Sequence, residues 1–453
     1  MSPEAADPIA INTTFWIATA IFVIAYGLIV SEKIHKTMIA IFGAALVIVF
    51  GVLEQREAFH IEEFGVDWNV IFLLISMMVI INLMRPTGVF EYIAIKSAKL
   101  GKGEPFKILA IFAVVTAVMS AFLDNVTTVL LIAPVTLFIA DALDVDPIPY
   151  LISNALASNI GGTATLIGDP PNIMIASKAK LEFMDFIYNL SPVIIITMVV
   201  YLIAIKFIWG RSLKTKDELK DRVMQMNENE AIKDPVLLKK SLFVLAITIA
   251  GFVMHGALHL EPATIALFGA GLLLLLSGTH NPHHVLSEVE WPTIFFFMGL
   301  FIIIGGIVKV GLIEMASNGV LEITKGNMFA TSMVVMWFSA FASAFVDNIP
   351  YVATMNPLII DMAQKLWPDL SGLALLHKPE LMPVWWSLAL GACLGGNGTA
   401  IGASANVIVV GMAEKAGHKI SFVKFMLYGM PIMILTVAVS TLYVWLRYYV
   451  LGI

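Results

Sequence analysis

Apolar stretches long enough to cross a bilayer recur along the whole chain. A helix needs about 20 apolar residues to span the hydrocarbon core, and such runs lie near 11–30, 37–53, 68–85, 188–208, 241–258, 262–277, 292–310 and 425–446. Two further apolar stretches, 149–182 and 385–413, are interrupted by Gly, Asn, Thr and Pro, which predicts helices broken inside the membrane. Two others, 106–142 and 330–363, have the length of two short helices. Each carries an Asp-Asn pair at its middle and predicts a helical hairpin. Polar positions concentrate in 210–240, where eight basic and six acidic residues favour a solvated connector over a helix.

The pattern occurs twice. SAFLDNVTTVLLIAP from Ser120 and SAFVDNIPYVATMNP from Ser343 agree at seven of fifteen positions, at an offset of 223. The same offset pairs Trp68 with Trp291 and Gly88 with Gly311, and an offset of 226 pairs Ile39-Ala40 with Ile265-Ala266. GGTATLIGDPPN from Gly161 matches GGNGTAIGASAN from Gly395 at an offset of 234. Blocks in one order predict two structural repeats, 1–209 and 241–453, joined by the linker 210–240. Each half holds five spanning segments, one of them broken, plus one Asp-Asn pair of short helices that starts and ends on the same side, whether it is a re-entrant hairpin or two full spans. Five is odd, so the second half enters from the opposite side. The expected fold is an all-α polytopic membrane protein of two inverted-topology repeats, an arrangement found in many secondary transporters.

Composition narrows the class. Hydrophobic residues make up 59% and charged residues 13%, against about 45–50% and about 25% in soluble domains. The net charge of −6 says little, because the placement of Lys and Arg sets orientation. With the N-terminus outside, the inner loops collect Lys33, Lys36, Arg85, Lys96, Lys99, Lys102, Lys107, Lys206, Lys415, Lys419, Lys424 and the basic residues of the linker. That bias predicts both termini outside and a cytoplasmic linker, in a cell (inner or plasma) membrane. The acidic N-terminus lacks the basic region of a cleaved signal peptide, so the first run is read as a retained span. The single cysteine, Cys393, excludes an intrachain disulfide and a multi-thiolate metal site. No cofactor or structural metal is expected, and no basic arm suits nucleic acid. His280, His283 and His284 have the composition of a metal cluster but are read as a cytoplasmic loop. Trp68, Trp291, Trp385 and Trp386 are read as interfacial belts.

Asp124 and Asp347 carry the chemistry. An aspartate at the centre of a membrane helix costs roughly 2.5–3.5 kcal/mol on insertion scales, so it is a functional candidate by default. The plain alternative is a helix N-cap at an aqueous turn. SAFLDNVTT lacks the Gly, Pro and further charges of such a turn, and both copies keep the following Asn125 or Asn348. Asp124, Asn125, Thr127, Thr128, Asp347 and Asn348 are therefore candidate substrate or ion ligands. In the second motif Gly161 and Gly162 free the backbone, and Thr163 and Thr165 offer hydroxyls. Asp169, before Pro170, is either a third titratable group or a cap; the residues leave both open. Unwound backbone in a membrane is tolerated where it is buried in protein or lines a cavity, and its helix ends can bind solutes. The plain alternative here is a glycine packing seam. Asn159, Asn172 and the counterparts Gly395, Gly396, Asn397, Thr399 and Asn406 complete the candidate set. Asp124, Asp347 and Asp169 are the candidates for proton coupling. Asp169 faces Ala403, Thr127 faces Pro350 and Thr163 faces Asn397, so the cavity is expected to have pseudo-symmetric walls and an asymmetric lining.

These motifs resemble those of the arsenite permeases and sodium/proton antiporters of the ion transporter superfamily, most of all the pink-eyed-dilution (P protein) permeases. The resemblance covers nearly the whole chain. It implies inverted repeats, each with a re-entrant hairpin and a broken helix, and often a homodimer. Dicarboxylate/sodium symporters of the same superfamily carry Ser-Asn-Thr at the hairpin tips, where this chain has Leu-Asp-Asn and Val-Asp-Asn. Each tip thus adds negative charge where an anion would sit. The expected function is a secondary active transporter, performing proton-coupled efflux of a small inorganic solute, with arsenite or antimonite first. The alternatives are a sodium/proton antiporter and a sodium-coupled carboxylate or anion transporter. No nucleotide-binding GxxxxGK[ST] motif occurs, so an ATPase would have to be a separate subunit. From another class, an intramembrane aspartyl protease using Asp124 and Asp347 has its two aspartates but leaves the repeated Gly-Thr-Gly-Asn loops unexplained.

Overall fold

The computed structural model describes residues 11–31, 33–60, 64–278 and 281–452, and every regular element among them is helical. Among the described residues nine helices are long and apolar enough to cross a membrane, accompanied by two shorter apolar helices, Lys36–Val49 and Pro262–Ser277. The chain is an integral membrane protein with multiple spans. One order of elements runs through twice. Thr13–Ser31, Lys36–Val49 and Trp68–Met84 are followed by the short helix Val89–Leu100. Pro235–Leu258, Pro262–Ser277 and Trp291–Lys309 are followed by Leu312–Thr324. The tryptophans that open the third helix of each set sit alike. The Trp68 indole donates to the Phe59 carbonyl at 3.1 Å, and that of Trp291 to the Leu286 carbonyl at 3.0 Å.

Hairpin 1 consists of Pro105–Phe122 and Asn125–Ala142, and hairpin 2 of Met328–Phe345 and Asn348–Leu366. At each tip one residue turns the backbone extended, Leu123 or Val346. The aspartate after it caps the return helix. Asp124 accepts from the Thr127 amide at 2.8 Å, and Asp347 from the Ile349 amide at 3.1 Å. A carboxylate at this position satisfies an amide that the helix itself cannot, which is why the chain reverses there and not elsewhere in the apolar run.

Each hairpin lies against a broken helix: Ile148–Gly162 with Pro170–Ala179, and Met382–Gly395 with Ser404–Lys415. Glycine makes the contact close. A Cβ added at Gly161 would run into the Ala117 backbone, and one at Gly395 would meet the Ala340 carbonyl oxygen at 2.6 Å. A final long helix closes each half, Ser191–Trp209 and Phe422–Val444.

Two expectations need correction. The linker is no free connector: Asp217–Gln225 is helical, with Val223 fully buried. Lys220 pairs with Glu104 at 2.9 Å and Lys99 with Glu228 at 2.6 Å, so the linker is docked on the base of hairpin 1 and on Val89–Leu100. Trp385 and Trp386 are 0% and 1% exposed, and hence core residues, whereas Trp68 and Trp291 are 41% and 40% exposed. His280 lies outside the described residues. His283 and His284 are solvated, and no metal-holding group of His, Cys, Asp and Glu occurs among the described residues.

Candidate functional site

The two hairpin tips meet at one carboxylate. Asn125 donates to Asp169 at 3.2 Å, and Asn348 donates to it at 3.4 Å. A cavity of about 530 Å³ opens on this point. Asp124, Asn125, Asp169, Asp347 and Asn348 line it, with His35, Lys36, Glu290 and Ser404 between apolar walls such as Leu74, Met78 and Phe345.

Each lining carboxylate immediately precedes a helix: Asp124 before Asn125–Ala142, Asp169 before Pro170–Ala179, Glu290 before Trp291–Lys309 and Asp347 before Asn348–Leu366. A helix N-terminus carries roughly half a positive charge. The protein answers these converging helix ends with its own carboxylates, so little of that potential is left for an anion.

The carboxylates are held differently. Asp124 accepts the Thr127 hydroxyl at 2.5 Å, and Glu290 accepts that of Thr293 at 3.3 Å. Asp169 stands at a cap position but makes no side-chain bond to its own helix. Pro170 and Pro171 lack the first two amides, so the carboxylate is free to take the two hairpin-tip amides instead. In the second half Pro350 replaces the hydroxyl of Thr127. Asp347 is held by the Lys36 ammonium at 2.6 Å and the Ser404 hydroxyl at 2.9 Å. The neighbouring His35 accepts the Thr37 amide on Nδ1 at 3.4 Å.

Behind the tips lies a buried amide network. Asn159 accepts from Asn125 at 3.2 Å and donates to Asn397 and Asn406 at 2.9 and 3.1 Å. Asn172 donates to the Thr163 and Thr165 carbonyls, and Asn406 to those of Gly396 and Thr399. The Thr165 and Thr399 hydroxyls tie each break to a hairpin, at Ala121 and Ala344, each at 2.5 Å. Thr163 donates to the Asn159 carbonyl at 2.7 Å. Gly161, Gly162, Gly395 and Gly396 are buried with them. These loop residues brace the breaks and do not line the cavity. The Thr128 hydroxyl is buried without a partner among the described residues.

Sequence reasoning did not place Lys36, Glu290, His35 or Ser404 in the site. Lys36 entered it only as a loop cation, and Ser404 sat unremarked inside GGNGTAIGASAN. A signal existed in the exchange of Thr127 for Pro350, which leaves Asp347 in need of another donor. A second cavity, also about 530 Å³, lies toward the other end of Pro170–Ala179, lined by Asn69, Ser177, Lys180, Glu182, His255 and His259.

Comparison with known proteins places this geometry. Residues 26–391 match the family described as citrate transporter (CitMHS). Uncharacterised transporters of Mycobacterium tuberculosis and Mycobacterium bovis are each 45% identical over 435 residues, spanning 96% of this chain and 99% of theirs. The human P protein is 31% identical over 525 aligned residues, spanning 98% of this chain and 61% of its own length. The likeness to P protein permeases read from the motifs therefore extends over the chain. The YdaH transporter of Alcanivorax borkumensis shares the fold, with a TM-score of 0.53 at 12% identity over 97% of this chain and 99% of that one.

Proposed function

Since the chain belongs to the citrate transporter family, and is thereby a secondary transporter and not an enzyme, we propose that it couples proton movement to the efflux of a small inorganic solute, with arsenite or antimonite first. The aspartyl-protease alternative falls with that membership. The observation that carries the reading is the charge of the cavity: Asp124, Asp169, Asp347 and Glu290 stand against the single ammonium of Lys36. Asp347 is the one that Lys36 pairs. A neutral hydroxide binds there through amides and carboxylates without adding charge. A tricarboxylate meets Asp124 and Asp169, which are paired with no cation among the described residues, and Glu290, which shares the field of Lys36 with Asp347. Asp124 and Asp169 are the coupling carboxylates in this reading, because both line the cavity and neither is paired with a cation among the described residues.

The proposal includes the inverted repeats 1–209 and 241–453, both termini outside, a cytoplasmic linker, a cell-membrane location and a homodimer. The 223-residue offset that pairs the hairpins also pairs Asp67 with Glu290. Glu290 lines the open cavity, while Asp67 is 1% exposed and accepts the hydroxyl of Ser177, a residue of the second cavity. Equivalent carboxylates on opposite sides support an inverted relation.

A carboxylate substrate is the second reading, favoured by the family's description and by the Lys36 ammonium. Sodium/proton exchange is the third, since carboxylate oxygens suit sodium. The test is reconstitution under an imposed pH gradient, with arsenite, antimonite, sodium, lithium and citrate offered separately. Proton-driven arsenite movement without sodium is the expected result. Sodium-driven proton release without arsenite flux would move the assignment to the antiporter. Robust citrate uptake would show that the acidic tips do not repel the solute.

A further inference from the structure

Lys36 sits where local forces do not favour it. It is the first residue of Lys36–Val49, at the positive end of that helix, where a cation is unfavourable by about 0.3–1 kcal/mol. What holds it is tertiary. Its ammonium lies 2.6 Å from Asp347 Oδ2 and 2.9 Å from Ser404 Oγ, and 4.9 Å from the centroid of the Phe296 ring. A carboxylate, a hydroxyl and an aromatic face together form a site for one monovalent cation.

The repeat makes the arrangement more telling. By the offsets that align the halves, Lys36 falls on Pro262, Ser404 on Pro170 and Pro350 on Thr127. Among the described residues hairpin 1 has no tethered cation, and its Asp124 accepts the amide and hydroxyl of Thr127. Hairpin 2 has lost the hydroxyl and gained an ammonium. The other titratable groups that line the same cavity are Asp124, Asp169, Glu290 and His35. Apart from His35, whose Nδ1 is engaged, these are acidic and add to the pull on a cation.

We infer that Lys36 is a tethered counter-ion for hairpin 2. Its ammonium fills the cation site formed by Asp347, Ser404 and Phe296, so that this tip is neutralised by the protein itself and needs no dissolved sodium. The inference goes beyond the proposed transport reading and does not depend on which solute is carried.

Thermal melting of the purified protein in detergent tests it, comparing sodium chloride with choline chloride at equal ionic strength. In Lys36→Met and Lys36→Gln the site is vacant and Asp347 unpaired. Each variant should gain a saturable, sodium-specific rise in melting temperature of at least about 3 °C beyond the wild type's. Lys36→Arg should behave as the wild type. The second substitution in Lys36→Met/Asp347→Asn should remove the gain. No gain in either single variant, or a gain that survives in the double variant, overturns the inference. If both single variants fail to fold, the wild type decides. Its sodium response should be unchanged by Asp347→Asn, and a wild-type response that this substitution abolishes would mean that dissolved sodium already serves the tip. No solute is present, so a failure here leaves the transport reading to its own assay.

Discussion

At the residue scale, Asp124 does two jobs that one substitution can separate. It caps Asn125–Ala142 through the Thr127 amide, and it presents a carboxylate to the cavity. Asparagine caps a helix about as well as aspartate but takes no proton. Asp124→Asn should keep the wild-type melting temperature and lose pH-driven flux in vesicles; full proton-coupled flux would remove Asp124 from the coupling. Asp169 should behave otherwise, because it holds both hairpin tips. Asp169→Ala leaves the Asn125 and Asn348 amides without this acceptor, at about 1–3 kcal/mol for a buried unsatisfied group. A lowered melting temperature together with lost flux is expected, and an unchanged melt would show that the tips do not depend on that contact. The Asp-Asn pairs were legible because an aspartate in an apolar run demands an explanation. Lys36 was not. Among other loop lysines nothing in its own neighbourhood marks it, and its partner is 311 positions away.

At the element scale, doubled apolar runs with a central cap gave away the hairpins, and Gly-Thr-Gly interruptions gave away the breaks. What the breaks are for was not legible. Hydroxyls at Thr165 and Thr399 read as ligands in the sequence, and their contacts to the Ala121 and Ala344 carbonyls have no counterpart there. Linker docking was hidden for the same reason: a run of charges looks solvated until Glu104 and Lys99 are seen to receive it. Bracing has a mechanical consequence. Gly161→Ala and Gly395→Ala push a methyl into the backbone of the opposing hairpin arm, and overpacking of that kind costs typically about 1–3 kcal/mol. Gly271 provides the control, since a Cβ there meets open space and alanine is the better helix former by about 0.8–1.0 kcal/mol. Melting temperatures should fall for the first two variants and hold or rise for Gly271→Ala. Equal effects at all three sites would mean that the breaks are not clamped to the hairpins.

At the scale of the whole molecule, the proposed transport reading makes the cavities near the two ends of Pro170–Ala179 the two sides of one device. Of the two, only the first includes the hairpin tips in its lining, which in the proposed transport reading is a site open toward one side. If the halves are inverted repeats, the other state follows by exchanging their conformations. Asp67 should then gain the exposure that Glu290 has now, and the contact of Asp67 with Ser177 at 2.6 Å should open. Single cysteines can read this on a Cys393→Ser background. The native thiol is buried, and its bond to Asn172 at 3.6 Å is one a hydroxyl can also make. A cysteine at Lys216 reports the linker face, one at Val407 the open cavity, and one at Leu373 the second cavity. In sealed vesicles, impermeant reagent should reach positions 216 and 407 from the same side and position 373 from the opposite side. Reversing the pH gradient should lower labelling at 407 and raise it at 373, because a single site cannot be open to both sides while it moves solute against a gradient. Labelling of 407 and 373 that rises and falls together would describe a channel, and chain termini reached from opposite faces would break the parity on which the inverted repeat rests.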